Sequence, residues 1–380
     1  MHIAFLTPEY PHKNVLHAAG IGTSIKNLAE ALVKEGISVS IIVYSQKQDT
    51  IIIENGMTIH LVKHQKYTFF GWFFHRKHIQ NYTNTIILKN KIDLIEAPDW
   101  TGITAFMRLK APLIIRFHGS DAYFCCLERR KQKLKNFWFE NLALKNAKAF
   151  IAPTKFAGNL TKEIFRLDIK KIHVIHYGIN LDEFLNNPPA EYVKGSILYV
   201  GTIIRKKGVL ELSAIMKKVI EKNPNAKLVL IGCDSFDIQT QSKSTWQLLQ
   251  SQMPESMKKN ISYIGKVPYE EVKKYVIKTN VCIFPTFAET QGMVTIEAMA
   301  LHKPVVNSSI GWAEELIVDG QSGFLVHPKD HDLFASRIIS LLSEEHFAFN
   351  MGKQASERTK ELFDIEKIAK QNIEFYKSQL

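Results

Sequence analysis

Two periods of apolar spacing alternate along this chain, and the switches between them outline its elements. His2–Thr7 is short and almost wholly apolar, which predicts a buried strand. Past a loop rich in Pro, His and Gly, Ile25, Leu28, Ala29, Leu32 and Val33 recur at three- and four-residue steps. That spacing predicts a helix over Thr23–Glu35, closed by Gly36. Ser38–Tyr44, Thr58–Val62, Asp93–Glu96, Pro112–Phe117, Ala149–Ala152 and Lys171–His176 are the following strand candidates. Helical stretches such as Phe137–Lys148 and Lys155–Phe165 fall between them. The βαβα order predicts an α/β fold with a doubly wound parallel sheet.

The series then restarts. Asn187-Pro188-Pro189 is a breaker cluster, after which Ser196–Val200, Leu228–Gly232, Ile261–Ile264, Val281–Pro285 and Pro304–Asn307 alternate with helices. At 380 residues the chain exceeds one comfortable core, so two domains are expected, with a hinge near residues 178–195. The expected division is 1–180 and 181–360, with 361–380 a terminal helix packing back on the first domain. Two Rossmann-like domains facing a central cleft would hold ligands at the carboxyl ends of both strand sets.

Composition changes this picture only through charge. An apolar fraction of 46% with 23% charged residues excludes a disordered or collagen-like chain. The net charge of +12 calls for an anionic partner. Residues 1–180 hold 25 Lys and Arg against 13 Asp and Glu, whereas 181–380 hold 24 of each. The excess therefore belongs to the first half. The four cysteines show no metal-ligand or disulfide spacing, which fits a reducing compartment. The opening residues lack a basic leader, and no uncharged run is long enough to span a bilayer. A cytoplasmic protein is expected, peripheral at the inner face of the cell membrane if the basic half meets lipid.

Candidate chemistry sits at strand ends. Ala19-Gly20-Ile21-Gly22-Thr23 precedes the first helix, where glycines let backbone N–H groups approach a phosphate, although such a pair also makes a plain turn. Glu289-Thr-Gln-Gly292-Met-Val-Thr-Ile-Glu297 follows one strand and opens an apolar helix. A helix starting near Gly292 would aim free N–H groups at a diphosphate, with Glu297 one turn in and Glu289 in the loop, both able to accept from hydroxyls. Read blandly, the two are a helix charge and a solvated loop. Gly201-Thr-Ile-Ile-Arg205-Lys-Lys207-Gly208 sets cations after another strand, where they could neutralise a phosphate leaving group or simply be solvated.

These segments resemble the retaining GT-B glycosyltransferases of family 4, the group 1 type. Glu289 to Glu297 is similar to the family's E-x7-E signature, including Gly292 and Ala298. His302-Lys-Pro-Val-Val306 resembles its G-K-P-V-V, Gly311-Trp-Ala-Glu-Glu315 its G-G-x-x-E, and Asp319-Gly-Gln-Ser-Gly323 its D-G-x-x-G. Tyr177-Gly-Ile-Asn180 with Phe184 resembles the linker motif N-G-[IV]-D-x-x-x-F.

The resemblance implies a nucleotide diphosphate sugar as donor and transfer with retained anomeric configuration. It implies that Glu297 binds the ribose and that Glu289 meets the donor sugar, helped by N–H groups of Gly292, Met293 and Val294. It implies that Lys207 holds the diphosphate. The family's arginine falls on Thr202, and Arg205 is the expected substitute. His118, in Arg116-Phe-His118-Gly119, resembles the family's cleft histidine, and the base is expected near Gly265-Lys266-Val267. Leaving-group stabilisation would fall to Lys207, Arg205, the helix N-terminus and the Gly22 loop. No cofactor is implied. The acceptor would be a glycan or lipid-linked molecule, in cell-surface polysaccharide or glycolipid assembly.

Asp330-His331-Asp332 is a literal DxD, but it directly precedes the apolar run Leu333–Leu342, so helix capping is expected and a metal is not. Lys66–His78 packs six Phe, Trp and Tyr rings among basic residues, which suits either a membrane contact or a core helix with a basic outer face. The basic run Arg129–Lys135 favours an anionic membrane surface as partner. Other function classes are a GT-B sugar epimerase, a non-catalytic scaffold, for which Thr202 is the one hint, and a nucleic-acid binder. The last has charge alone in its favour, with no zinc-finger, RNP or basic-zipper pattern, so no nucleic acid is expected.

Overall fold

The computed structural model describes residues 1–186 and 191–380, so the breaker cluster at 187–189 lies outside the described residues. The chain forms two compact units, one made of Met1–Asn180 with Phe363–Leu380, the other of Leu181–Leu362.

The first unit runs β1 (His2–Thr7), α1 (Gly20–Lys34), β2 (Ser38–Gln46), β3 (Thr50–Glu54), β4 (Met57–Lys63), α2 (Gly71–Asn90) and β5 (Leu94–Pro98). It continues with β6 (Leu113–Arg116), α3 (Asp121–Leu127), α4 (Leu134–Lys145), β7 (Ala149–Ala152), α5 (Lys155–Phe165) and β8 (Ile172–Val174). The sheet order is β3-β4-β2-β1-β5-β6-β7-β8, parallel except for β3 against β4. The alternation in β1 sorts its residues between two cores. Ile3 and Phe5 join the α1 side, while Ala4 and Leu6 face the side of α2 and α4.

The second unit opens with β9 (Ser196–Val200), α6 (Leu212–Lys222), β10 (Lys227–Ile231), α7 (Thr245–Ser251), β11 (Ile261–Gly265) and α8 (Tyr269–Lys278). Then come β12 (Val281–Phe284), α9 (Met293–Ala300), β13 (Val305–Ser308), β14 (Phe324–Val326), α10 (His331–Ser343) and α11 (Glu345–Leu362). Its sheet, β11-β10-β9-β12-β13-β14, is parallel throughout. The order reverses between β9 and β12, and at such a switch point the two following loops diverge and leave a crevice.

The last helix, α12 (Ile365–Ser378), returns to the first unit and packs on α1. It is bonded into the sheet by a buried polar cluster. Arg116 donates two bonds to Glu96, at 2.6 and 2.9 Å, and a third to Asn372 Oδ1 at 2.5 Å. Tyr376 Oη donates to Glu96 Oε2 at 2.6 Å. The carboxylate beside it holds the Arg116 guanidinium above its ordinary pKa despite burial.

Three sequence expectations need correction. The first helix begins at Gly20, so Gly22 lies in its first turn instead of in a preceding loop. The strand expected over Lys171–His176 is only Ile172–Val174. The antiparallel β3 was not expected at all. Its Ile51 and Ile53 point to solvent, which hides the polar–apolar alternation, although Asn55-Gly56, both at positive φ, is the turn that joins it to β4.

Candidate active site

The best-formed constellation lies where the loops after β9 and β12 run together. Backbone bonds hold them in register, since the Lys206 carbonyl accepts from Phe287 N–H at 2.8 Å and Ala288 N–H at 3.3 Å. Gly208, at φ +71°, makes the approach possible. A Cβ there would sit 1.7 Å from the Pro285 carbonyl oxygen. In the tight turn Arg205–Lys207, Lys207 Nζ consequently reaches Glu289 Oε1 at 2.5 Å, and both side chains are largely shielded.

Beyond Glu289 the chain enters α9 through Gly292, at φ +84°, packed so closely on Trp312 that a Cβ would meet its ring at 2.8 Å. No side chain caps α9, and its first turn holds no acidic residue. The N–H groups of Met293 and Val294 therefore have no intrahelical acceptors, and Glu289 reaches the start of this helix, its Cγ lying 3.6 Å from where a Cβ on Gly292 would be. One turn on, Glu297 Oε1 accepts from Tyr269 Oη at 2.8 Å. Burial pushes the Glu297 carboxyl up to about 7, partly offset by the tyrosine bond and Lys273.

Arg205 departs from expectation. Its guanidinium is engaged by the buried Asp237, with two bonds of 2.8 Å. Asp237 also accepts from Thr240 N–H and Oγ1, and Arg205 first, with these donors after it, holds its carboxyl well below the usual range despite burial. Arg205 thus ties the 234–242 loop to the cationic turn and is not an open clamp. Thr202 is exposed on the same loop, its carbonyl accepting from Tyr199 Oη at 3.1 Å. Lys266 is exposed and Val267 half-buried just past β11, at the same end of the sheet but two strands from β9.

His118 and Gly22 belong to the first unit. His118 N–H donates to Asp99 Oδ1 at 2.8 Å, and its ring stacks on Tyr177 with centroids 5.2 Å apart. Tyr177 Oη gives its proton to the Phe117 carbonyl and lies 2.9 Å from His118 Nδ1. Because that hydroxyl proton is committed, Nδ1 must be the donor, leaving the Nε2 lone pair as acceptor. Burial and nearby Arg116 push His118 down to about 3, so the ring is neutral. Beneath it, burial raises Asp99 to about 7, and its Oδ2 is buried with no partner among the described residues.

Gly22 N–H is also committed, donating to Glu9 Oε1 at 2.9 Å. A carboxylate from the chain itself occupies the position expected for a phosphate. The glycine is required by packing, since a Cβ would meet Tyr10 Cα at 2.9 Å.

Asp330 caps α10, accepting from Leu333 N–H at 3.1 Å. Asp332 pairs with Lys218 and His331 with Glu211. Among the described residues no group of three or more His, Cys, Asp and Glu side chains could hold a metal ion. Sequence reasoning missed Tyr269, Trp312, Asp99 and Tyr177. Trp312 and Tyr177 left a signal, each as a large residue standing where a family motif has a smaller one, the second glycine of G-G-x-x-E and the asparagine of N-G-[IV]-D.

Comparison with known proteins places the chain in a family. Residues 186–358 match the model described as glycosyl transferases group 1, and residues 18–183 match glycosyltransferase family 4. The chain belongs to this glycosyltransferase family. It is 27% identical to an "uncharacterized glycosyltransferase" of Methanocaldococcus jannaschii, over 99% of this chain and 98% of that one. It is 29% identical to the capsular polysaccharide biosynthesis glycosyltransferase CapM of Staphylococcus aureus, over 53% of this chain and 48% of that one. Among solved structures, Anabaena HepE in complex with UDP and glucose superposes with a TM-score of 0.75 at 16% identity, covering 100% of both chains. The fold is GT-B, two Rossmann-like α/β domains, and the activity class is glycosyl transfer.

Proposed function

We propose that this protein transfers a sugar from a nucleoside diphosphate sugar to a glycan or lipid-linked acceptor, with retention of anomeric configuration. The observation that carries this reading is the Lys207–Glu289 pair at the uncapped start of α9. An arriving diphosphate competes for Lys207 and meets the N–H groups of Met293 and Val294. Glu289, released from its lysine, accepts from sugar hydroxyls. Glu297 accepts from the ribose hydroxyls. His118, neutral with Nε2 as acceptor, suits a further sugar hydroxyl.

In the reaction, the bond from C1 to the β-phosphate oxygen breaks and a bond from C1 to the acceptor oxygen forms on the same face. The acceptor's proton leaves with the released nucleoside diphosphate. Lys207 and the α9 N–H groups stabilise the charge that grows on that diphosphate, the largest contribution such a site can make. The UDP named for HepE supports the donor class, and the family resemblance supports retention. The capsular polysaccharide role named for CapM supports a cell-surface acceptor.

Thermal stabilisation by a panel of UDP-, GDP- and ADP-sugars tests the donor. A ligand at about 100 times its Kd adds roughly 2.7 kcal/mol to stability. A shift with one nucleotide sugar, followed by NMR of the product anomer, is the expected result. No shift with any of them, alongside a shift with an oligonucleotide, overturns the reading.

A further inference from the structure

The two aromatic and basic segments of the first unit form one exposed patch that donor chemistry does not use. Helix α2 buries Arg76, Ile79 and Thr83 toward the core, yet the residues at its start stay outside. Phe69 is 76% exposed and Phe70 68%, and Phe70 is held at φ +50°, a left-handed conformation that is costly for a bulky residue. Leu134, at the start of α4, is 86% exposed. Trp72 joins the segments, its ring 5.0 Å from Phe139 and 6.5 Å from the half-exposed Trp138, with Lys135 Nζ 5.4 Å above it. Two helix N-termini without side-chain caps, those of α2 and α4, open on this region.

The charges around these rings share one sign. Lys66, Arg129, Lys131, Lys133 and Lys135 are exposed, and none enters an ion pair among the described residues. The nearby carboxylates are already used. Asp121 and Glu128 both bind Arg130, at 3.0 and 2.5 Å, and Glu140 is buried against the N–H groups of Asp121 and Ala122. Exposed apolar tips inside a fringe of free cations complement an interface with acyl chains below and anionic headgroups above. A second copy of the chain fits poorly, because a two-fold contact would press these cations against themselves.

We propose that this patch docks the protein on an anionic lipid bilayer, with Phe69, Phe70 and Leu134 entering the interface and the lysines meeting headgroups. The docking needs neither donor nor acceptor, so it stands or falls separately from the catalytic reading. Each lysine near an anionic surface is worth roughly fivefold in affinity, so K131E/K133E/K135E should weaken binding by about 100-fold or more.

Co-sedimentation of the full chain with phosphatidylcholine vesicles, with and without phosphatidylglycerol, tests this at low and high salt. Recovery that requires phosphatidylglycerol and falls with salt is expected. F69S/F70S should lose recovery at unchanged charge and unchanged melting temperature. The proposal is overturned by equal recovery on neutral vesicles or by full binding of F69S/F70S. It is also overturned if the patch variants abolish oligonucleotide binding or a concentration-dependent dimer while vesicle binding is absent.

Discussion

Unit 1, residues 1–180 and 363–380, carries 28 lysines and arginines against 16 aspartates and glutamates, whereas unit 2 carries 21 against 21. Both sheets are largely parallel, and Lys207, the cation proposed to meet the donor phosphates, sits in the neutral unit. A diphosphate needs one or two cations at defined positions, and such cations vanish in a whole-chain sum. The excess that survives the sum is spread over a surface, the form in which a membrane reads charge. Net charge therefore bears more on the proposed docking than on the proposed chemistry.

The units also share a device and use it differently. Each holds one carboxyl raised to about 7, Asp99 in unit 1 and Glu297 in unit 2. Asp99 is covered by backbone N–H groups under His118, so its shift bears on stability. Glu297 keeps an oxygen beyond its Tyr269 bond, so its shift bears on binding.

The largest expected effect separates structure from catalysis. Arg116→Ala leaves Glu96 buried without its cation and should cost about 3–5 kcal/mol, read by denaturant unfolding. A loss below about 1 kcal/mol would show that α12 is not held by this cluster. Next, Lys207→Ala should lower turnover by about 10²–10³-fold with little change in melting temperature. Arg205→Ala should instead lower melting, because it frees the buried Asp237. Equal turnover losses in the two variants would restore Arg205 to the phosphate clamp.

The third expectation concerns pH. With Glu297 accepting from ribose hydroxyls as proposed, binding favours its ionised form, so donor affinity should rise about tenfold between pH 6 and 8, and Glu297→Gln should flatten the profile. For Asp99 the sign is opposite in effect. A folded carboxyl titrating near 7 lends most stability below its unfolded value near 4 and loses it as pH rises to 7. Asp99→Asn should remove that slope from pH-dependent melting. The smallest effect is Tyr269→Phe. It deletes a bond that favours the ionised form and should move the midpoint of the donor-affinity profile to higher pH, at a stability cost of about 1 kcal/mol.

Much of this site was legible in the chain. Glu289, Gly292 and Glu297 stand at a spacing that fits a helix start, and Gly208 follows the cations where a tight turn needs positive φ. The helpers were not legible. Asp99, His118 and Tyr177 meet across β5, β6 and the segment after β8, and nothing local marks Asp99 or Tyr177 as a partner of the histidine. Tyr269 meets Glu297 across 28 positions in the same way.

The sequence by itself determined the alternation of strands and helices apart from β3, the family, and which loops fall at strand ends, because period and turn chemistry are local. Tertiary structure decided the partner of each charged group. It placed Lys207 on Glu289, Arg205 on Asp237 and Gly22 N–H on Glu9, and it joined two distant aromatic segments into one surface. Pairing energy depends on distance in space, and strand adjacency, which sets that distance, is written in no single stretch of the chain.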